Sequence, residues 1–297
     1  MASDATTERA VARRGERSGA GAPRPLLVLG AVESELTALR RSFRSVEKRE
    51  DDDTVAERGW LGGRETILVV TGPGRLDAVA GAAWGLDWGG GARAVVSAGF
   101  CSGLRADLAY GDVFVPDAVD EEADAVERQS GRRPPPPPPL RPDPVLARLA
   151  TREAERLGAR VRTGTLVTVA AALRHAEAKR TLAALTGAAA ADGETAAYGP
   201  AVRGWSAPLV VVRVVLDGPG ETPASPEELG YYDEGRSGRR RRKRRRRGRG
   251  DDGVVGRAVR YAVSAARDLL GLPAAASRVP GAAELLAQVV LRLATVL

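Results

Sequence analysis

The sequence predicts an α/β fold: a mostly parallel sheet with helices covering both faces. Three observations carry this reading. Short apolar runs without polar alternation recur along the chain, as strands buried on both sides require. They alternate with segments of helical periodicity. The early runs end in glycine-containing turns, where such sheets gather ligands at the carboxyl ends of strands. A chain of 297 residues, 43% of them hydrophobic, is long enough to bury one main core with appendages. Aromatics make up only 4%, so small side chains dominate and helices are expected to lie close to the sheet.

Residues 1–24 lack apolar periodicity and predict a disordered arm. Leu26–Gly30 reads as the first strand, 33–43 as a helix, and Thr66–Val70 as the second strand, ending in Thr71-Gly72-Pro73-Gly74. A small-residue helix follows over 75–84, then strands over 94–99 and 112–116. The stretch 119–144 is highly charged and carries six prolines, Pro134 to Pro139, and predicts a mobile loop. Beyond it come an amphipathic helix at 145–157, a strand at 163–169, and helices at 176–185 and 194–202. Residues 208–216 hold the strongest strand signal in the chain. The α/β domain thus spans 25–230, followed by a polybasic linker at 231–252 and a helical extension at 253–297. Pro273 and Pro280 mark interruptions in that extension.

Composition removes several chemistries. Cys101 is the only cysteine, which excludes an intrachain disulfide framework and a cysteine-based zinc site. His175 is the only histidine, and its polar surroundings read as an exposed helix start rather than a catalytic base. No metal site and no cofactor are expected. The net charge of +7 belongs to one segment: ten basic residues lie between Arg239 and Arg249, and without them 35 basic residues face 38 acidic ones. A basic run without interleaved aromatics reads first as a solvated insertion, so nucleic acid is an unlikely partner. Contact with an anionic membrane stays open through the same run. The 282–297 helix is apolar at helical spacing and is expected to pack on the core or on a second subunit. No secretory leader and no unbroken apolar span of about 18 residues is present, so the expected location is the cytoplasm.

The acidic residues at strand ends and helix starts are Glu33 and Glu35 after the first strand, Glu194 before its helix, and Asp217 after the Val-rich strand. Taken singly, each also fits a helix cap, where the dipole and orphan amides stabilise a carboxylate. Taken together with the glycine turns, they resemble the purine nucleoside phosphorylase and methylthioadenosine/S-adenosylhomocysteine nucleosidase superfamily. Gly30-Ala31-Val32-Glu33-Ser34-Glu35 is similar to that family's opening motif, and Thr71-Gly72-Pro73-Gly74-Arg75 to its second turn. Gly99-Phe100-Cys101-Ser102-Gly103 with Gly111-Asp112-Val113 is similar to its Gly-rich loop and Gly-Asp pair. Asp192-Gly193-Glu194 and Val212 to Asp217 are similar to its Met-Glu and Val-Arg-x-x-Ser-Asp segments.

The resemblance implies a three-layer nucleoside phosphorylase-like sandwich, a homo-oligomer, and a small-molecule nucleoside substrate. It casts Asp217 as the proton donor toward N7 of a purine, Glu194 as the holder of the ribose hydroxyls, and Glu35 as the group that orients or deprotonates water. Glu33 is the second candidate for that last role. Gly30, Gly72, Arg75, Gly99, Phe100, Cys101, Ser102 and Gly193 are implied to line the substrate. Related phosphorylases hold phosphate with an Arg and a Ser at places that here are Ser97 and Phe100, which favours water as nucleophile. Arg75 at a helix start is the one other anion-binding candidate. Residues 176–194 and the helical tail further resemble the hopanoid-associated nucleosidases, which take adenine from an adenosylated hopane lipid. The pattern departs at Gly193 for Met, Leu216 for Ser, and Ala172 for the purine-stacking Phe. Phosphate-dependent cleavage, or a catalytically dead relative that binds RNA or membrane through the polybasic arm, are the alternatives.

Overall fold

The computed structural model describes residues 23–51, 54–129, 138–171, 173, 175–222 and 278–297. The polybasic run, prolines 134–137, Ala172 and nearly all of the expected N-terminal arm lie outside those residues, as does 253–277 of the expected helical extension.

One large sheet forms the middle layer. In chain order it contains β1 (Leu26–Gly30), β2 (Phe43–Asp51), β3 (Thr54–Leu61), β4 (Arg64–Val70), β5 (Ala94–Gly103), β6 (Val113–Phe114), β7 (Ala118–Glu121), β8 (Val161–Arg162), β9 (Thr165–Thr168), β10 (Ala190–Asp192) and β11 (Leu209–Asp217). The main path runs β2-β3-β4-β1-β5-β10-β9-β7, while β11 pairs with β5 and with β6. The expected parallel core is present: β1 pairs in parallel with β4 and β5, and β11 with β5. These strands are buried along almost their whole length, which explains why they read as unbroken apolar runs.

The helices are α1 (Glu33–Arg40), α2 (Arg75–Gly89), α3 (Glu122–Gln129), α4 (Pro144–Arg156), α5 (Ala176–Thr186), α6 (Gly199–Gly204) and α7 (Val279–Val296). One core lies between the sheet and α1, α4 and α7, built on Val28, Leu68, Val96 and Val212. The second joins Leu27, Val69, Val95 and Val211 to α2 and α6. A third, smaller cluster joins α3 and α5 to β9 and β10. Helix α2 does sit close to the sheet. A Cβ at Gly85 would stand 2.9 Å from side-chain carbons of Leu27 and Val69, so only glycine permits the approach.

Three features differ from the sequence reading. The hairpin β2–β3 was not expected, because β2 is charged and exposed beyond Phe43 and shows no apolar face. Backbone pairing with β3 makes it a strand, and its charges suit a sheet edge. The 119–144 segment is not one continuous loop: its first part forms β7 and α3, with β7 held in parallel to β9. The expected 194–202 helix is a 3₁₀ turn over Thr195–Tyr198 that passes into α6.

Helix α7 is by length and composition able to cross a membrane, yet half of it is buried inside the protein. Its apolar stripe, with Leu286, Val289, Val290 and Leu293, packs in the first core, and Pro280 sits harmlessly in its first turn. Replacing the fully buried Leu286 by Ala should therefore lower unfolding free energy by about 2–5 kcal/mol in urea titration. A change under about 0.5 kcal/mol would mean that α7 is not part of the core.

Candidate active site

Strand β5 organises the site because its two edges change partners along its length. On one edge β1 pairs only as far as Ser97, and β10 takes over in antiparallel sense at Ser102 and Gly103. Between them the amide of Phe100 has no strand to bind. The carboxylate of Glu35 takes it, Phe100 N–H donating to Oε1 at 3.0 Å. The other oxygen, Oε2, accepts from the amides of Ala31 at 2.7 Å and Val32 at 3.2 Å, at the start of α1. Glu35 thus caps its own helix and closes a gap in the sheet. A Cβ at Gly99 would collide with that carboxylate and reach within 3.3 Å of the Arg213 guanidinium, which accounts for the glycine.

On the opposite edge, β11 follows β5 and slips register near its end, so that Asp217 faces Ser102. From β10 and its continuation come Asp192 and Glu194, both buried. Glu194 Oε1 accepts from the amide of Gly74, in the turn that includes Gly72, at 3.1 Å. Three strand ends therefore deliver Glu35, Glu194 and Asp217 around the carboxyl end of β5, the switch point where open α/β sheets bind ligands.

Two buried cations accompany these acids. The Arg213 guanidinium donates to Asp192 Oδ2 at 3.0 Å, to Ser97 Oγ at 2.9 Å and to the Ser97 carbonyl at 2.9 Å. Lys179, on α5 and completely buried, donates to Asp217 and to the Gly218 carbonyl at 2.7 Å. Burial pushes the Glu35 carboxyl above its usual range, with Arg213 and the three amides pulling the other way. Burial, together with the Asp192 and Glu35 charges, pushes Glu194 up to about 8. Asp217 is also raised by burial, against the pull of Lys179 and a hydrogen bond from Ser102. Burial raises the Cys101 thiol, which packs in the second core.

Some expected residues stand elsewhere. Glu33 is ion-paired with Arg40 at the surface, so Glu35 alone of the acidic pair turns inward. Arg75 is exposed and its guanidinium is committed to Glu121, which removes it as a ready anion site. Gly30 ends β1 against Leu36, and Gly193 borders open space, with nothing within 4 Å of where a Cβ would stand. Arg213 and Asp192 lay inside quoted motifs without a role. Lys179 was missed, although it shares a helical stripe with Leu182 and Thr186, the buried residues of α5. Among the described residues no three His, Cys, Asp or Glu side chains are placed so that they could hold a metal ion.

Residues 25–244 match the family model of the phosphorylase superfamily. The chain is 26% identical over 210 residues to the 5′-methylthioadenosine/S-adenosylhomocysteine nucleosidase of Actinobacillus succinogenes, covering 68% of this chain and 90% of that one. It is 27% identical over 202 residues to the enzyme of the same name from Chromohalobacter salexigens, covering 65% and 84%. Among solved structures it is similar to the Neisseria meningitidis nucleosidase in complex with methylthio-immucillin-A. The TM-score there is 0.66 at 21% identity, over 92% of this chain and 99% of that one. The futalosine hydrolase of Helicobacter pylori has the same fold, with a TM-score of 0.65 at 16% identity over 92% and 98%.

The raised Glu194 carboxyl ties stability to pH. Between about 4.5 and 8 the folded state holds a proton that the unfolded state has lost, so stability falls as pH rises through that window. Urea titrations across it should show a slope that becomes shallower by up to about 1.4 kcal/mol per pH unit in Glu194→Gln. An identical slope in both proteins would mean that Glu194 is not the titrating group.

Proposed function

The chain belongs to the phosphorylase superfamily and is an enzyme of N-glycosidic bonds, and we propose that it is a nucleosidase, using water to release the base of a purine nucleoside. One observation carries the choice of water. Both buried cations beside the acids are already committed, Arg213 to Asp192 and Lys179 to Asp217, and Arg75 is paired at the surface. A phosphate dianion would meet carboxylates there rather than a cation.

Cleavage needs two things: a proton for the departing base and negative charge beside the sugar as it becomes an oxocarbenium ion. In this reading Asp217 protonates N7 of the purine. Glu194 accepts hydrogen bonds from the ribose hydroxyls. Glu35, pinned by three amides, takes the proton of the attacking water, and burial makes it a stronger base than an exposed carboxylate. Gly99, Phe100 and Ser102 shape the floor.

Adenine is the favoured base, since the named relatives are methylthioadenosine/S-adenosylhomocysteine nucleosidases. The open space at Gly193 suits a bulky 5′ substituent, either a thioether or the hopane lipid that the sequence resemblance suggests. The enzyme is read as cytoplasmic. The protein is read as a homo-oligomer from the sequence resemblance.

The test incubates the protein with adenosine, methylthioadenosine and an adenosylated hopanoid, with and without phosphate, and measures free adenine. Phosphate-independent release is expected. Asp217→Asn should lower kcat by about 10²–10⁴-fold, the usual worth of a general acid. Release only with phosphate would make the protein a phosphorylase. No release from a folded protein would favour a binding role.

A further inference from the structure

The Lys179–Asp217 contact is unlike the rest of the site. The other buried cation, Arg213, holds Asp192, a carboxyl with no assigned part in the chemistry, whereas Lys179 holds the proposed acid itself. A general acid must carry a proton when the base leaves, and a carboxylate locked against an ammonium does not. Lys179 has no exposed surface, so neither substrate nor water reaches it directly, and its ammonium is held by Asp217 and the Gly218 carbonyl. An ion pair closed off from water loses much of its advantage over the neutral pair made by moving one proton from nitrogen to oxygen.

We infer that Lys179 and Asp217 hold one proton jointly, and that Lys179 supplies it through Asp217 to the leaving base. This rests on the nucleosidase reading above. As the C1′–N9 bond breaks, its electron pair goes to the purine. The Asp217 carboxyl gives its proton to N7, having received it from the Lys179 ammonium, which is left as a neutral amine. Water adds to C1′ and loses a proton to Glu35. Glu35 later releases that proton to solvent and the couple takes one back, so each turnover consumes one water.

The surroundings fix this couple in place. The Ser102 hydroxyl bonds Asp217 from β5, with the Cys101 thiol beside it, and the Glu221 carboxylate and Arg278 guanidinium face it from the turn after β11 and the start of α7. Glu221 accepts from the Gly218 amide at 2.8 Å, and Arg278 bonds both Glu221 and the Leu216 carbonyl. The Gly218 carbonyl, second acceptor of Lys179, is thereby held. Lys179 is a positioning residue that never touches substrate.

The experiment compares methylthioadenosine with p-nitrophenyl β-D-riboside, whose nitrophenolate leaves without a proton. Lys179→Arg keeps the charge beside Asp217 but gives up a proton far less readily. We expect its kcat on the nucleoside to fall by about 100-fold or more with KM within about threefold, while the aryl riboside is cleaved within about threefold of wild type. In Asp217→Asn, adding Lys179→Arg should cost nothing further. The wild-type enzyme decides the matter if the Arg variant does not fold. The wild-type pH profile should lose rate on the alkaline side for the nucleoside only, as the couple loses its proton. Equal losses on both substrates, or full activity in Lys179→Arg, would overturn the proton-supply role and leave the nucleosidase reading intact. Cleavage of neither substrate by wild type would instead sink the nucleosidase reading, and the couple with it.

Discussion

The buried guanidinium of Arg213 is the interaction on which the site depends. Four carboxyl groups, Glu35, Asp192, Glu194 and Asp217, are brought out of water at one end of the sheet. Burying a charge without a partner is far too unfavourable for a marginally stable domain. Arg213 satisfies Asp192 directly, spans to Ser97 on β5, and lowers the electrostatic penalty on Glu35 and Glu194. Its strand position opposite Gly99 is what allows this reach, since any side chain there would fill the space that the guanidinium and Glu35 share.

The neutralisation is incomplete, and that incompleteness is chemically useful. Among the described residues two buried cations stand against four buried acids, so the site keeps a surplus of acidic groups, and burial pushes Glu194 up to about 8. A site of that kind suits a reaction whose transition state is cationic at the sugar and needs a proton at the base. The same arrangement disfavours an anionic second substrate. Backbone amides, rather than further side-chain cations, hold Glu35, so its position comes from the ends of β1 and α1 and from the mid-strand amide of β5. Such groups need no reorganisation when charge develops.

Legibility followed burial on the strands and failed where pairing, rather than pattern, made the structure. Leu26–Gly30, Thr66–Val70 and 208–216 were readable because both faces of each strand are covered, which leaves an apolar run in the sequence. Strand β2 was unreadable because it is held by hydrogen bonds to β3 and contributes almost nothing to a core. The acids at strand ends were visible as motif residues. Which of Glu33 and Glu35 turns inward was not, because two residues along a helix separate them by about 200° and only the packing of α1 says which side faces β5.

The sequence by itself determined the α/β class, the order of the central elements and the acidic residues that end up together, since these depend on local apolar periodicity and on short motifs. Only the tertiary structure decided what those acids touch. Lys179 lies 38 residues from Asp217 along the chain, Phe100 65 from Glu35, and Gly74 120 from Glu194. No local pattern encodes such pairings. They arise because β5 changes partners along its edges and so draws the ends of β1, β10 and β11 to one point, where burial makes each charge answer to its neighbours.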